Sequence, residues 1–183
     1  RDGSTPLHLA GRWGCAAAAQ ALVAAGRTVE DRAAHSFHSY FLRPGDPAVP
    51  ILYEVDRIRD GRSFTTRRVV AIQHGRAIFN MAVSFQVEES GLEHQMPMPD
   101  APSPDDLPTQ EEHNRELREA APPDAEIWFD RDRAFEERYA EPINWFKPKK
   151  QEPYQRIWLR TTGPVVDDPA LHQALLAYAS DMS

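Results

Sequence analysis

Residues 35–87 read HSFHSYFLRPGDPAVPILYEVDRIRDGRSFTTRRVVAIQHGRAIFNMAVSFQV, and this stretch decides the fold. Runs rich in aromatic and β-branched residues alternate there with turn signals at regular spacing, a pattern typical of consecutive β-strands. The pattern predicts an antiparallel meander of four strands, at residues 34–43, 49–59, 63–73 and 76–87.

Two dipeptides predict the tight turns of this sheet. Asp60-Gly61 and His74-Gly75 each offer the pair of positive φ angles that a two-residue hairpin loop requires. In the last strand, alternation gathers the apolar residues on one face. These residues are Phe79, Met81, Val83, Phe85 and Val87.

A helix is predicted just before the sheet. Residues 13–28, WGCAAAAQALVAAGRT, are apolar on nearly every face, and Gly26 is placed as a C-terminal stop. A helix that is apolar all round must be buried. Because no other long apolar element lies nearby, we expect an α+β arrangement in which the sheet of residues 34–87 wraps around residues 15–26.

The remainder of the chain divides into a linker and the start of a second unit. Residues 96–125 lie in a stretch rich in proline and acidic residues, which predicts an extended surface linker. Residues 154–162 alternate as a strand, and Asp168 caps a helix predicted at 169–179. The apolar face of this helix is expected to consist of Leu171, Leu175, Leu176 and Tyr178.

Composition excludes several classes of function. The net charge of −7 argues against non-specific binding to nucleic acid or to an anionic membrane surface. No apolar run approaches the ~18 residues that span a bilayer, and no secretory signal is present, so a cytoplasmic location is the default. A single cysteine excludes an internal disulfide framework. Because the chain opens on Arg1 without an initiator Met, we expect it to be a fragment or a processed piece.

The usual catalytic and metal-binding motifs are absent. Cys15 lies in the apolar helix without a nearby base, which favours a small buried hydrophobe over a reactive thiolate. His35 and His38 lie three residues apart on a strand, so they are expected on opposite faces and unable to share a metal. Since there is also no glycine-rich phosphate loop, no cofactor is predicted.

Five arginines gather around the Asp60-Gly61 hairpin, at positions 57, 59, 62, 67 and 68. Of these, Arg62, Arg67 and Arg68 are the candidates for contact with substrate. Several guanidinium groups converging there could bind a phosphorylated ligand. The alternative is a solvated outer face of the sheet, with cross-strand pairs to Glu54 and Asp56. Both interpretations stay open at the level of sequence.

The N-terminus offers a second possible architecture. Residues 2–10, DGSTPLHLA, resemble the turn of one ankyrin repeat. A solenoid needs at least about three stacked repeats, and no second copy occurs. A non-catalytic module that binds a ligand or a partner, built either on the sheet-wrapped helix or on an ankyrin-like unit, is therefore the alternative to an enzyme.

Three segments resemble the bacterial and peroxisomal acyl-CoA thioesterase II family: HSFHSYFLRPGD at 35–46, RDGRSFTTRRV at 59–69 and EHQ at 93–95. The resemblance implies a double hotdog, with an N-terminal domain at 1–95, a linker at 96–125 and an incomplete C-terminal domain at 126–183. It also implies hydrolysis of acyl-CoA to a fatty acid and coenzyme A, and a homo-oligomer for the full-length protein.

The resemblance also implies a catalytic set of Asp, Thr or Ser, and Gln. The family's Asp lies in a Tyr-Ala-Ser-Asp motif that residues 178–181 match, which makes Asp181 the candidate catalytic carboxylate. The positions of the other two side chains fall beyond Ser183. We therefore expect the intact protein to be an enzyme and this chain to be inactive or weak.

Overall fold

The computed structural model describes residues 6–129 and 133–182, with the side chains of all but 6–14, 127 and 128. These residues form two compact units. The first comprises the described residues up to Leu92 and from Val166 onward, and the second comprises those of Glu93–Val165. The α-helices are α1 Pro6–Gly26, α2 Gln110–Ala120 and α3 Pro169–Ala179. The strands are β1 Ala33–Phe41, β2 Leu52–Asp60, β3 Phe64–Gln73, β4 Arg76–Gln86, β5 Phe135–Tyr139 and β6 Ile157–Thr161.

The first unit contains the predicted four-stranded antiparallel sheet, and its strands match the predicted ranges to within three residues. The strand order is β1-β4-β3-β2, so the meander holds for β2, β3 and β4 only. β1 pairs with β4 at the far edge instead of with β2. The connection over residues 42–51 is too long for a tight hairpin, and this length lets the chain cross to the other edge.

One of the two predicted tight turns is confirmed. His74 and Gly75 have φ angles of 49° and 70°, the paired positive values of a two-residue hairpin loop. The prediction for Asp60-Gly61 is wrong, because neither residue has a positive φ. Gly61 is needed because its backbone lies close to that of Phe64. Its N–H donates to the Phe64 carbonyl over 2.9 Å, and a Cβ at this position would come within 2.7 Å of the same oxygen.

The sheet covers α1, as the apolar pattern of this helix predicts. Ala21 and Ala25 of α1 are fully buried against core residues of β3 and β4 such as Val69 and Met81. The helix is apolar all round because α3 packs on it as well, with Ala177 in the same core. Residues 6–26 form one continuous helix, and the rest of the ankyrin-like segment, residues 2–5, lies outside the described residues.

α3 begins and ends where the sequence predicts, but its buried face is different. Leu176 is 72% exposed, whereas Ala174, Ala177 and Ala179 are buried. Small side chains let the axes of α1 and α3 approach closely, so alanine and not leucine marks this interface. α3 belongs to the same compact unit as α1. The assignment of residues 126–183 to a second hotdog domain stays a prediction.

In the second unit, the prediction that residues 96–125 form an extended linker is wrong, because the segment contains a helix. α2 lies within this segment, and a capping box between Thr109 and Glu112 starts it. The helix has only two buried residues, His113 and Leu117, which is too weak an apolar pattern to recognise. β6 confirms the predicted strand, while its antiparallel partner β5 was missed. Within the described residues, no helix is long and apolar enough to cross a membrane.

Candidate active site

Asp181 sits in a turn that continues the end of α3. Its N–H donates to the Tyr178 carbonyl over 3.3 Å, and the N–H of Met182 donates to the Ala179 carbonyl over 3.1 Å. The hydroxyl of Ser180 donates to the Ala177 carbonyl over 2.8 Å. The backbone on both sides of the carboxylate is therefore held by hydrogen bonds, although the residue follows the helix.

The helix that carries Asp181 is itself anchored to the sheet. The Gln173 side chain donates to the Ala34 carbonyl over 2.9 Å and accepts from the Ala34 N–H over 3.3 Å. This reciprocal pair ties α3 to the start of β1, while Ala177 packs into the core. The position of the carboxylate is thus set by rigid elements, as a catalytic group requires.

Cys15 contacts Asp181 from α1. The buried thiol donates to the Asp181 backbone carbonyl over 3.4 Å. Burial raises the pKa of the Asp181 carboxyl, and the Cys15 thiol partly offsets this by lowering it. A carboxylate with a raised pKa is a better proton acceptor than an exposed one. The burial of Cys15 confirms the sequence-based prediction, but no sequence signal links two residues that lie 166 positions apart.

The three arginines selected from the sequence do not converge. Arg67 points into the core opposite Val83, whereas Arg68 lies on the outer face of the sheet, opposite Ala82 and Asp56. Arg62 is exposed in the β2–β3 connection. This distribution follows from the two-residue period of a strand, which sends neighbouring side chains to opposite faces.

Arg67 is fully occupied by the protein itself. Its guanidinium is 2% exposed and donates to the hydroxyl and carbonyl of Thr28, to the carboxylate of Asp60, and to the carbonyls of Arg59 and Thr66. These bonds engage all five N–H donors of an arginine. Arg67 therefore ties the segment after α1 to the β2–β3 hairpin and has no donor left for a phosphate.

A cavity of about 530 Å³ opens beside this arginine. Three further arginines line it: Arg57, which belongs to the cluster around the Asp60-Gly61 hairpin, and Arg27 and Arg32, which do not. Three acidic residues, Glu30, Asp31 and Asp60, line it too. The mixed charges make the cavity polar without making it selective for anions.

His35 and His38 lie on the same face, contrary to the prediction from their spacing. A bulge interrupts the register of β1 between Ala34 and Ser36 and shifts the alternation by one residue. His35 consequently bonds the hydroxyl of Ser84 over 2.8 Å on the outer face, where His38 also lies opposite Ala82. Within the described residues, no group of three His, Cys, Asp or Glu side chains could hold a metal.

Comparison with known proteins assigns the family. The family model of the acyl-CoA thioesterase N-terminal domain matches residues 8–86, and the acyl-CoA thioesterase model matches residues 124–183. A protein from Alicyclobacillus acidocaldarius with a hot dog fold superposes with a TM-score of 0.69 at 21% identity, which supports the fold alone. The sheet wrapped on α1 is therefore a hotdog, and the fold class is α+β.

The chain belongs to the acyl-CoA thioesterase II family. It is 40% identical to acyl-CoA thioesterase 2 of Haemophilus influenzae, over 89% of this chain and 57% of that protein. Its structure is similar to the crystal structure of the acyl-CoA thioesterase II TesB2 from Mycobacterium marinum, with a TM-score of 0.73. The two sequences are 39% identical, and the match covers 96% of this chain and 61% of that one. The chain thus spans somewhat more than half the length of these relatives.

Proposed function

We propose that the protein hydrolyses acyl-CoA thioesters to a fatty acid and coenzyme A, with Asp181 as the catalytic carboxylate. The observation that carries this proposal is the fixed, half-buried position of Asp181 at the end of α3, in the Tyr-Ala-Ser-Asp sequence of the family. The substrate class follows from the family, whose members named above are called acyl-CoA thioesterases.

The chemistry matches what this carboxylate supplies. A water molecule attacks the thioester carbonyl carbon while the Asp181 carboxylate accepts its proton. The resulting tetrahedral oxyanion collapses, the carbon–sulfur bond breaks, and the coenzyme A thiolate leaves and is protonated. No covalent nucleophile is needed, so the mechanism makes no demand on Cys15.

Substitution of Asp181 tests the proposal. A chimera would join residues 1–183 to the segment of the H. influenzae thioesterase that follows the match, and thiol release from octanoyl-CoA would be measured. We expect Asp181→Asn to lower kcat by about 100-fold or more with little change in KM, because it removes the base and keeps the shape. The matched control is Asp167→Asn, an exposed carboxylate before α3. An unchanged kcat in the Asp181→Asn chimera overturns the assignment.

Of the predicted substrate-binding arginines, we retain Arg62 and Arg68. Within the described residues, neither side chain forms a hydrogen bond or ion pair, so their donors are available to a phosphate. Arg62→Gln and Arg68→Gln are expected to raise KM for acyl-CoA severalfold in the chimera and to leave kcat unchanged. A cytoplasmic location, self-association of the full-length protein and the absence of a nucleic-acid partner belong to the same proposal and rest on the sequence arguments.

A further inference from the structure

A cavity of about 380 Å³ lies within the second unit, between α2 and the segment that follows β5. Its apolar lining includes Leu117 of α2 and Ile143. Lys147 and Lys149 are exposed at its rim. The volume falls within the range of roughly 300–1,000 Å³ that is typical of small-molecule sites.

His113 provides a buried polar group in the lining of this cavity. The residue is 7% exposed, and its ring packs against Tyr139 with the centroids 5.0 Å apart. Within the described residues, neither ring nitrogen forms a hydrogen bond. The hydroxyl of the neighbouring Tyr139 donates to Glu137 and not to the ring. A buried polar group without a partner costs free energy, so a ligand that supplies a partner would be stabilised here.

The other polar groups of the cavity favour an anion. The side-chain oxygen of Asn144 accepts from the N–H groups of Phe146 and Lys147 over 3.1 and 2.9 Å, which leaves its NH₂ group to donate. Two lysine ammonium groups add positive charge, against one carboxylate, that of Glu116. Donors and positive charge therefore exceed acceptors and negative charge around an apolar floor.

We infer that this cavity binds a monocarboxylate with an aliphatic chain. The chain would lie on Leu117 and Ile143, and the carboxylate would accept from Lys147, Lys149 and the ring of His113. The apolar contact and the charge are both required, since neither acetate nor an aliphatic alcohol would satisfy the two parts of the site. The inference is independent of thioester hydrolysis, although a fatty acid is what hydrolysis of an acyl-CoA would release.

The experiment uses the whole 183-residue chain and sodium octanoate, with acetate and octanol as control ligands, in a calorimetric titration. We expect saturable binding of octanoate alone. Lys147→Gln combined with Lys149→Gln should weaken it at least about tenfold, because two charge-assisted hydrogen bonds are lost. Lys150→Gln, which changes a lysine outside the cavity, should leave the affinity unchanged.

A second readout needs no variant. The three lysines of the chain are 147, 149 and 150. Reductive methylation followed by mass spectrometry therefore reports on this site in the unaltered protein, and octanoate is expected to protect Lys147 and Lys149 but not Lys150. Absence of saturable binding, equal binding of octanol, equal affinity in the folded double variant, or equal protection of all three lysines would each overturn the inference. None of these measurements depends on catalytic activity.

Discussion

At the scale of single residues, Asp181 occupies a position that is costly for its own charge. Burial raises the pKa of this carboxyl, which means that the folded protein disfavours the ionised form. We propose that this cost in stability accompanies the catalytic role of Asp181.

Asp181→Asn is therefore expected to raise the melting temperature of the 183-residue chain at pH 7. The folded-state pKa lies above the unfolded one, so the cost of the charge is absent below the unfolded pKa and appears as the pH rises through the folded pKa. The gain in melting temperature should disappear near pH 3, where the carboxyl is protonated. Thermal unfolding followed by circular dichroism at both pH values checks this. An equal gain at both pH values would show that packing, not charge, is responsible.

His113 leads to a pH prediction of the opposite sign. Burial lowers its pKa, outweighing Glu116 and Glu137, which raise it, while Arg133 lowers it further. Protonation is then easier in the unfolded chain, so stability is full above the unfolded pKa of about 6.5 and falls as the pH drops toward the folded pKa.

Urea unfolding of the 183-residue chain at pH 7.5 and 5.5 measures this pH dependence of stability. The wild-type chain should lose stability between the two pH values, and His113→Phe should lose less, because the variant cannot be protonated at this position. The quantity compared is the loss of stability between the two pH values in each protein. A packing defect in the variant lowers its stability equally at both pH values and therefore does not affect this difference. Equal losses in both proteins would contradict the prediction.

At the scale of elements, the buried guanidinium of Arg67 connects the segment after α1 to the β2–β3 hairpin, alongside hydrogen bonds from Arg32 to Thr65 and Arg62. Arg67→Met would leave the Thr28, Arg59 and Thr66 carbonyls without their donor. We expect a loss of about 2–4 kcal/mol in the free energy of unfolding, from unsatisfied buried polar groups. Chemical denaturation measures it.

Arg68→Met is the matched control for that substitution. It makes the same change one residue away, on the exposed outer face of β3. Such a surface change usually stays within about 0.5 kcal/mol. Equal stability of the two variants would contradict the prediction that the hydrogen bonds of Arg67 stabilise the fold.

The packing of α3 on α1 yields a second pair of adjacent substitutions. Ala177 is 1% exposed in the core shared by the two helices, and a leucine there would force them apart at a cost of about 1–3 kcal/mol. Leu176→Ala should change stability by less than about 0.5 kcal/mol, because Leu176 lies in solvent. Equilibrium unfolding of both variants tests the assignment of the buried face. A larger loss for Leu176→Ala would restore the leucine face expected from the sequence.

At the scale of the whole molecule, the proposed catalytic set consists of an Asp, a Thr or Ser, and a Gln. Within these 183 residues we assign only its Asp, as Asp181, and the chain spans somewhat more than half the length of its relatives. We expect the 183-residue chain to hydrolyse octanoyl-CoA at least about 100-fold more slowly than the chimera, since losing members of a catalytic set costs powers of ten in rate. Turnover by the chain alone at about 10 per second would refute this.

Local chemistry determined much of this protein. Alternation over residues 35–87 predicts four strands, His74-Gly75 predicts its turn, and Asp168 followed by Pro169 predicts where α3 begins. These features depend on the preferences of a few neighbouring residues, which a sequence displays directly. The apolar texture of α1 likewise predicts its burial, because such a helix has no face to offer to water.

Only the tertiary structure decided which distant residues meet. It placed β1 beside β4, brought Cys15 to Asp181, and set the guanidinium of Arg67 against Thr28. Each of these outcomes depends on many weak contacts between elements far apart in the chain, and no single residue carries a signal for their sum.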